Sequence, residues 1–584
     1  MSQLSVRYVV ACVLGALCCL WWWVTPSASA QGQPTVIVGG TLIDGTGQDP
    51  LPEALVIIEG DTIKTVAQKG KASYPPEARI INAEGKFLLP GLIDMHVHYD
   101  WWMPELFLAH GVTTAVDLAS YDWVFAQKEG IAKGKIPGPR LVVSSFALDG
   151  RLFWNVPFFP LGGPEAAREA TRSFITQGVS LVKIYTEISP EELEVVVKEA
   201  HQAGLPVMGH VASVDAAQAA RIGVDGLAHA SGVALATIAD PNRVKELREF
   251  ESIGISVDYP RYLLYHAFMD PTKAEELIRL LVQEEVALEP DLINTSARWA
   301  AKRRAEYKQE DQKLLADPNL RYIPENIRQR ALDYEPAEDL SSAEREQLQQ
   351  GYANLQTFLR RFVAAGGRML AGSDTASFVL PGISLHRELE LLVEAGLSPM
   401  QAIVAATKNN AEFLHQQAMF GTVEEGKRAD LLIVRKDPLQ DIRNTQTIDT
   451  VIKDGQVIDT RYHADFRNPI PSPPPPWGYI ANPQPTIKSL SPLMGAEGTE
   501  TTLMIEGENF LAASQVEFNK QKVTAIPVSS SQVPGTAYLP YYTRLQATIP
   551  ARLVAQAGRF PVTVTNPPPE GGPSNVGYFI VRFK

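Results

Sequence analysis

The sequence predicts an α/β protein: a (β/α)8 TIM barrel flanked by a composite β-sandwich, with a second β-sandwich at its C-terminal end. Three observations predict it. From Pro90 to about Gln416, strand-like runs alternate with helical ones, the pattern of a parallel sheet with crossover helices. Short alternating runs broken by turn residues lie on both sides of that region. The proline run Pro473 to Pro476 then sets off a last strand-rich stretch as a unit of its own.

Taken in order, residues 1–30 read as a secretory signal, with Arg7, an apolar stretch from Tyr8 to Val24, and Ala28-Ser29-Ala30 as a small-residue cleavage site. The mature chain is therefore expected to start near Gln31 and to be exported, periplasmic or extracellular. All three cysteines, Cys12, Cys18 and Cys19, fall inside this leader, so no disulfide is expected in the mature protein. No later segment is apolar for long enough to span a membrane. The formal net charge of -13 argues against nucleic acid as a partner, because its phosphates reward basic surfaces. A length of 584 residues calls for more than one core.

Residues 31–89 hold strand runs at Thr35 to Val38, Ala54 to Glu59, Thr62 to Val66 and Arg79 to Asn82. Residues 419–467 hold similar runs at Ala429 to Val434 and Thr450 to Ile458. Neither set can bury an apolar face alone, so the two are expected to combine. Between them, residues 90–418 offer strand starts at Leu92, Val112, Arg140, Leu181, Pro206, Gly226, Val286 and Arg368, and eight is the barrel number. The run Ile255 to Tyr259 competes for the seventh place, which is given to Val286 to Leu292. Residues 299–362 are charged and helical in pattern, and read as an insertion beside the barrel mouth. Residues 468–485 read as a semi-rigid linker and 486–584 as the last sandwich.

The chemistry concentrates at strand ends. In Pro90-Gly91-Leu92-Ile93-Asp94-Met95-His96-Val97-His98, alternate residues share a strand face, so His96 and His98 can chelate one ion together. Their place at the C-terminal end of a first barrel strand is where barrel active sites lie. Lys183, His210, His229 and Asp374 each end a later apolar strand. A single histidine in such a place is more often a packed core residue than a ligand, and Asp374 could instead cap a helix. Lys183 stands in an otherwise apolar run, where an unpaired ammonium is costly. Its amine, once reacted with carbon dioxide, is an anion with two oxygens able to span two cations. For the other histidines, His386 included, a packing or solvent role is favoured.

These residues resemble the ligand set of the amidohydrolase superfamily, and within it the binuclear, prolidase-like (Xaa-Pro dipeptidase-like) branch, over about Thr35 to His463. The resemblance implies that His96, His98 and Asp374 bind a more buried divalent metal ion. It further implies that His210 and His229 bind a second, and that carboxylated Lys183 bridges the two. Zinc is the metal expected, with manganese or cobalt compatible with the same nitrogen and oxygen ligands. The function implied is hydrolysis of an amide or peptide-type bond, in a dipeptide or N-acyl amino acid, by a metal-bridging hydroxide. Asp374 would pass the proton to the leaving amine, and Tyr185 or Tyr259 would donate a hydrogen bond to the oxyanion. Arg151, Arg243, Arg261 and Arg298 are candidates for a substrate carboxylate.

Three rivals are weighed. Ester or lactone hydrolysis uses the same metal pair. Mononuclear deamination is disfavoured, because His210 is followed by Val211-Ala212-Ser213-Val214-Asp215, without the glutamate deaminases carry there. A non-catalytic binding protein would have no reason to bury Lys183 and Asp374. The last domain, with Gly507-Glu508-Asn509-Phe510 and Val562-Thr563-Val564, resembles an immunoglobulin-like IPT/TIG module over about Pro485 to Ile580. That resemblance leaves a passive appendage and a surface or protein partner both open, and a homo-oligomer is compatible with the whole.

Overall fold

The computed structural model describes residues 33–150, 158–252, 259–294, 301–333, 341–375, 379–470, 484–510, 514–531, 541–566 and 572–583. The leader, the proline run and most of the candidate strand at Ile255 lie outside the described residues. Among the described residues, no helix is long and apolar enough to cross a membrane.

The N-terminal flank supplies β1 (Thr35–Leu42), β2 (Leu51–Glu59), β3 (Thr62–Gln68), β4 (Arg79–Asn82) and β5 (Phe87–Pro90). The barrel region supplies β6 (Leu92–Val97), β7 (Val112–Asp117), β8 (Arg140–Val143), β9 (Ala147–Asp149), β10 (Phe158–Pro160), β11 (Val182–Ile184), β12 (Val207–Gly209), β13 (Gly226–Ala228) and β14 (Ala287–Glu289). The C-terminal flank adds β15 (Leu431–Val434), β16 (Ile448–Lys453) and β17 (Gln456–Ile458).

The two flanks meet in one continuous sheet, ordered β17-β16-β15-β5-β1-β2-β3 with β4 beside β1. The seam is the antiparallel pair β5 and β15, where Leu88 faces Ile433 and Leu89 faces Leu432. Each half presents an apolar face that water would otherwise cover. Ile37, Val56 and Leu88 from one half pack with Leu431, Ile433 and Ile452 from the other.

In the barrel β6, β7 and β8 pair in parallel, as do β11, β12, β13 and β14. Isolated parallel bridges close the ring, Ser144 to Leu181, Leu288 to Met369 and Val97 to Thr375. The eighth position is thus held by an extended segment from Met369 to Thr375 rather than by a regular strand. The seventh is β14, which pairs directly with β13. Period-two alternation then builds two layers. Leu181, Met208 and Ala287 belong to an apolar floor with Ile93, Val116 and Leu370, and two residues further along each strand stand Lys183, His210 and Glu289.

The insertion forms helices Ala301–Leu315, Glu325–Asp333 and Ser342–Ala364, the last opened by a capping box between Ser341 and Glu344. It is anchored on the helix Ile383–Glu394, whose buried Arg387 lies 2.9 Å from both Glu310 and Asp311. Residues from Thr486 onward form two further sheets around Leu503, Ile505, Phe510, Phe518, Val562, Val564 and Phe579, a core that among the described residues draws no member from the barrel.

Candidate metal centre

The first strand delivers its histidines through an irregularity. The register of β6 against β7 shifts between Asp94 and Val97, a β-bulge of the kind that re-aims side chains next to active sites. Below it Asp94 is buried and accepts hydrogen bonds from the Ser373 hydroxyl at 2.6 Å and the Ser373 N–H at 2.9 Å, fixing β6 to the eighth segment. Above it His96 Nε2 lies 3.5 Å, and His98 Nε2 3.2 Å, from Asp374 Oδ1. Ligand atoms of these three residues lie within 4.8 Å of one another, as do those of His96, His229 and Asp291. The rings continue as a chain, His96 to His229 at 5.0 Å, His229 to His210 at 5.0 Å and His210 to Tyr185 at 5.4 Å between centroids.

The structure therefore brings together His96, His98, His210, His229 and Asp374, with Tyr185 half-buried at the edge. Lys183 is buried too, at 2% exposure, close enough to Glu289, Asp374 and Asp291 for their charges to act on it. Tyr259 is different. It opens the helix Tyr259–His266 rather than ending a strand, and its side chain lies outside the described residues. Of the four arginines, Arg243 pairs with Glu246 at 2.6 Å and covers the Phe268 ring. Arg151, Arg298 and the Arg261 side chain lie outside the described residues. His386 is a structural tie, with Nδ1 2.8 Å from the Thr445 hydroxyl and Nε2 2.9 Å from the His110 carbonyl.

The seventh strand contributes more than its sequence was read to contain. Glu289 Oε2 and Asp291 Oδ2 lie 3.0 and 3.1 Å from His96 Nδ1, and Asp291 Oδ2 is also 3.0 Å from His229 Nδ1. Asn294 donates from Nδ2 to Asp374 Oδ2. The signal was present, since Glu289 and Asp291 alternate at a strand end just as His96 and His98 do.

Electrostatics test whether metal ions fit here. Asp94, Glu289 and Asp291 are fully buried and Asp374 is nearly so, against one buried ammonium, Lys183, among the described residues. Burial alone raises Glu289 well above the ordinary range, with Asp291 adding to it. Burial, reinforced by Lys183, pushes His96 down to about 4, and burial with His229 holds His210 well below its ordinary value. Both rings are neutral at pH 7 and keep a lone pair. Burial opposes ionisation of Asp374, but His96, the hydrogen bond from His98, and His229 outweigh it and hold its pKa far down. Neutral imidazoles beside an excess of carboxylates form a donor set that cations complete, so the residues fit the group. Backbone strain marks the same place. His229, Asp291 and Asp374 have φ of 58°, 45° and 46°, conformations costing about 1–3 kcal/mol each that cluster at functional sites.

A closed parallel barrel with histidines, a lysine and carboxylates converging at the C-terminal strand ends is the architecture of metal-assisted barrel hydrolases. Comparison with known proteins makes the class particular. Residues 87–458 match the amidohydrolase family, and the chain belongs to it. Residues 485–580 match the IPT/TIG domain. Ochratoxinase of Aspergillus niger is 26% identical over 488 residues, spanning 71% of this chain and 84% of that protein. A solved structure of a prolidase from Bifidobacterium longum superposes with a TM-score of 0.55 at 23% identity, covering 75% of this chain and 98% of the other. A Xaa-Pro dipeptidase with bound methionine gives 0.52 at 22%, covering 73% and 100%. The structure of the A. niger ochratoxinase gives 0.53 at 22%, covering 75% and 99%. At these identities the structural likeness speaks for the fold.

Proposed function

We propose that this chain is an exported hydrolase that binds two divalent metal ions, zinc in the first instance, and cleaves an amide or peptide-type bond in a dipeptide or N-acyl amino acid. One observation carries the reading. The ligand-type residues of five separate barrel positions, His96 and His98, Lys183, His210, His229 and Asp374, gather at one buried mouth although nearly three hundred residues separate the first from the last. The names of the relatives, prolidase, Xaa-Pro dipeptidase and ochratoxinase, agree with a hydrolase of small amide-type substrates.

His96, His98 and Asp374 would hold one ion, His210 and His229 the other, and carboxylated Lys183 both. When bound, such ions lower the pKa of water toward about 7 and polarise a carbonyl, which supplies the nucleophile and the electrophile. The chain's own residues do the rest. Asp374 stays ionised despite its burial and so can accept the proton of the attacking water. Asn294 holds Oδ2, which keeps Oδ1 turned toward the histidines. The same carboxyl then returns the proton to the departing nitrogen. Tyr185, whose ring lies beside that of His210, would donate to the developing oxyanion, and Tyr259 is the second candidate for that role. The IPT/TIG domain would meet a surface or protein partner, and a homo-oligomer is compatible with either.

The test is metal content per chain of the purified mature protein, together with intact-mass evidence of a carbon dioxide adduct on Lys183. Two equivalents with the adduct present are expected, followed by turnover of Xaa-Pro or N-acyl amino acid libraries. One equivalent or none, with an unmodified lysine after metal and bicarbonate are resupplied, overturns the binuclear reading. Turnover of esters or lactones alone moves the bond class.

A further inference from the structure

His96 stands among three carboxylates, one at Nε2 and two at Nδ1. Nε2 faces Asp374 and Nδ1 faces Glu289 and Asp291. His229 presents its Nδ1 to the same Asp291 oxygen. We propose that Asp291 is a positioning residue that accepts the Nδ1 protons of His96 and His229 together, fixing both rings with Nε2 as the lone-pair nitrogen. The inference rests on the metal-binding reading above, and it adds a residue of this chain that the ligand pattern does not contain.

The argument is one of tautomers. A neutral imidazole carries one proton, so whichever nitrogen donates to a carboxylate leaves the other free to act as a base or ligand. The 3.1 Å contact from His96 Nδ1 is a hydrogen bond, and His229 Nδ1 stands 3.0 Å from the same oxygen, within donating range. Orienting partners of this sort are worth about 10- to 100-fold in metal affinity. Asp291 is unusual in serving two rings that the ligand assignment gives to different ions. It is placed for this by the turn that follows β14, where its positive φ turns the chain out of the strand. Aspartate is among the residues that tolerate that conformation best. Glu289, which ends β14 two residues earlier, lies 3.0 Å from His96 Nδ1 and shares that hydrogen bond. An apolar residue at position 291 would take the shared acceptor away from both rings, leaving His96 to Glu289 by itself.

Chelator competition with zinc on the full chain tests this, with Asp291→Asn as the near-isosteric variant, Asp291→Ala as the deletion and circular dichroism of the metal-free proteins as the fold check. Both equivalents should be held about 10- to 100-fold more weakly in the variants. Wild-type affinity in the variants overturns the inference. So does clean loss of one equivalent with the other unchanged, which would make Asp291 a direct ligand. Failure of the wild type to bind zinc is a different result, and removes the metal reading itself. A variant that does not fold is answered by the wild type. Nitrogen-15 NMR of the histidine rings in metal-free protein should place the proton on Nδ1 of both His96 and His229, assigned through His96→Asn and His229→Asn. Protons on Nε2 of these two rings overturn the proposal.

Discussion

Asp374 shows how one side chain is divided between two tasks. Oδ1 lies within reach of the Nε2 atoms of His96 and His98, while Oδ2 takes a hydrogen bond from the Asn294 amide. A hydrogen bond to a charged group is worth about 1.5–3 kcal/mol, and each 1.36 kcal/mol is a factor of about ten in rate. Asn294→Ala is therefore expected to lower kcat about 10- to 100-fold while the thermal midpoint of the metal-free protein stays close to that of the wild type. Steady-state kinetics and a melt measure the two together. An unchanged kcat would remove Asn294 from the machinery. At this scale most of the site was legible in the sequence, because each proposed ligand ends an apolar strand. Glu289, Asp291 and Asn294 were not picked out, since a carboxylate or amide at the end of a strand is ordinarily solvated and only their approach to His96, His229 and Asp374 gives them meaning.

The helix Ile383–Glu394 shows the same limit one level up. It looks amphipathic in sequence, yet every residue from Ile383 to Leu392 is buried, because the barrel, the C-terminal flank and the insertion all cover it. Its polar residues become internal fasteners. Arg387 holds Glu310 and Asp311, Glu388 accepts the Ile293 N–H at 2.7 Å, and His386 ties Thr445 to His110. Burial, with His110 adding to it, lowers His386 to about 3. Below about pH 6.5 the unfolded chain takes up a proton that the folded chain refuses, so stability falls with pH from about 6.5 down to about 3. The loss from this one group develops to roughly 5 kcal/mol at its fullest. Chemical denaturation as a function of pH should show that slope, and His386→Gln should flatten it. An equal slope in the variant would place the acid sensitivity elsewhere.

The whole molecule separates into a catalytic body and an appended domain. The last domain has its own core, and the Pro-rich stretch before it is a linker by composition. Truncation after Ile470 is expected to leave hydrolysis and metal content of the remaining chain unchanged, within about a factor of two. Calorimetry of the full chain should show two transitions, of which only the one belonging to the barrel moves when metal is stripped, since a ligand stabilises only the unit that binds it. A single transition shifting as a whole would show that the two units unfold together.

What the sequence determined by itself follows from short-range physics. Period-two and helical alternation set the order of strands and helices, turn residues placed most of the boundaries, and the strand-end positions of His96, His98, Lys183, His210, His229 and Asp374 marked the mouth. What only the tertiary structure decided depends on atoms brought close from distant parts of the chain. The two flanks fuse into one sheet through β5 and β15, the eighth barrel position is an extended segment held by bridges, and past the register shift in β6 His96 meets Glu289 at the end of β14 and Asp291 just beyond it. Hydrogen bonds and charge interactions act over a few ångströms, so which carboxylate meets which ring nitrogen is settled by closure of the barrel and not by spacing along the chain.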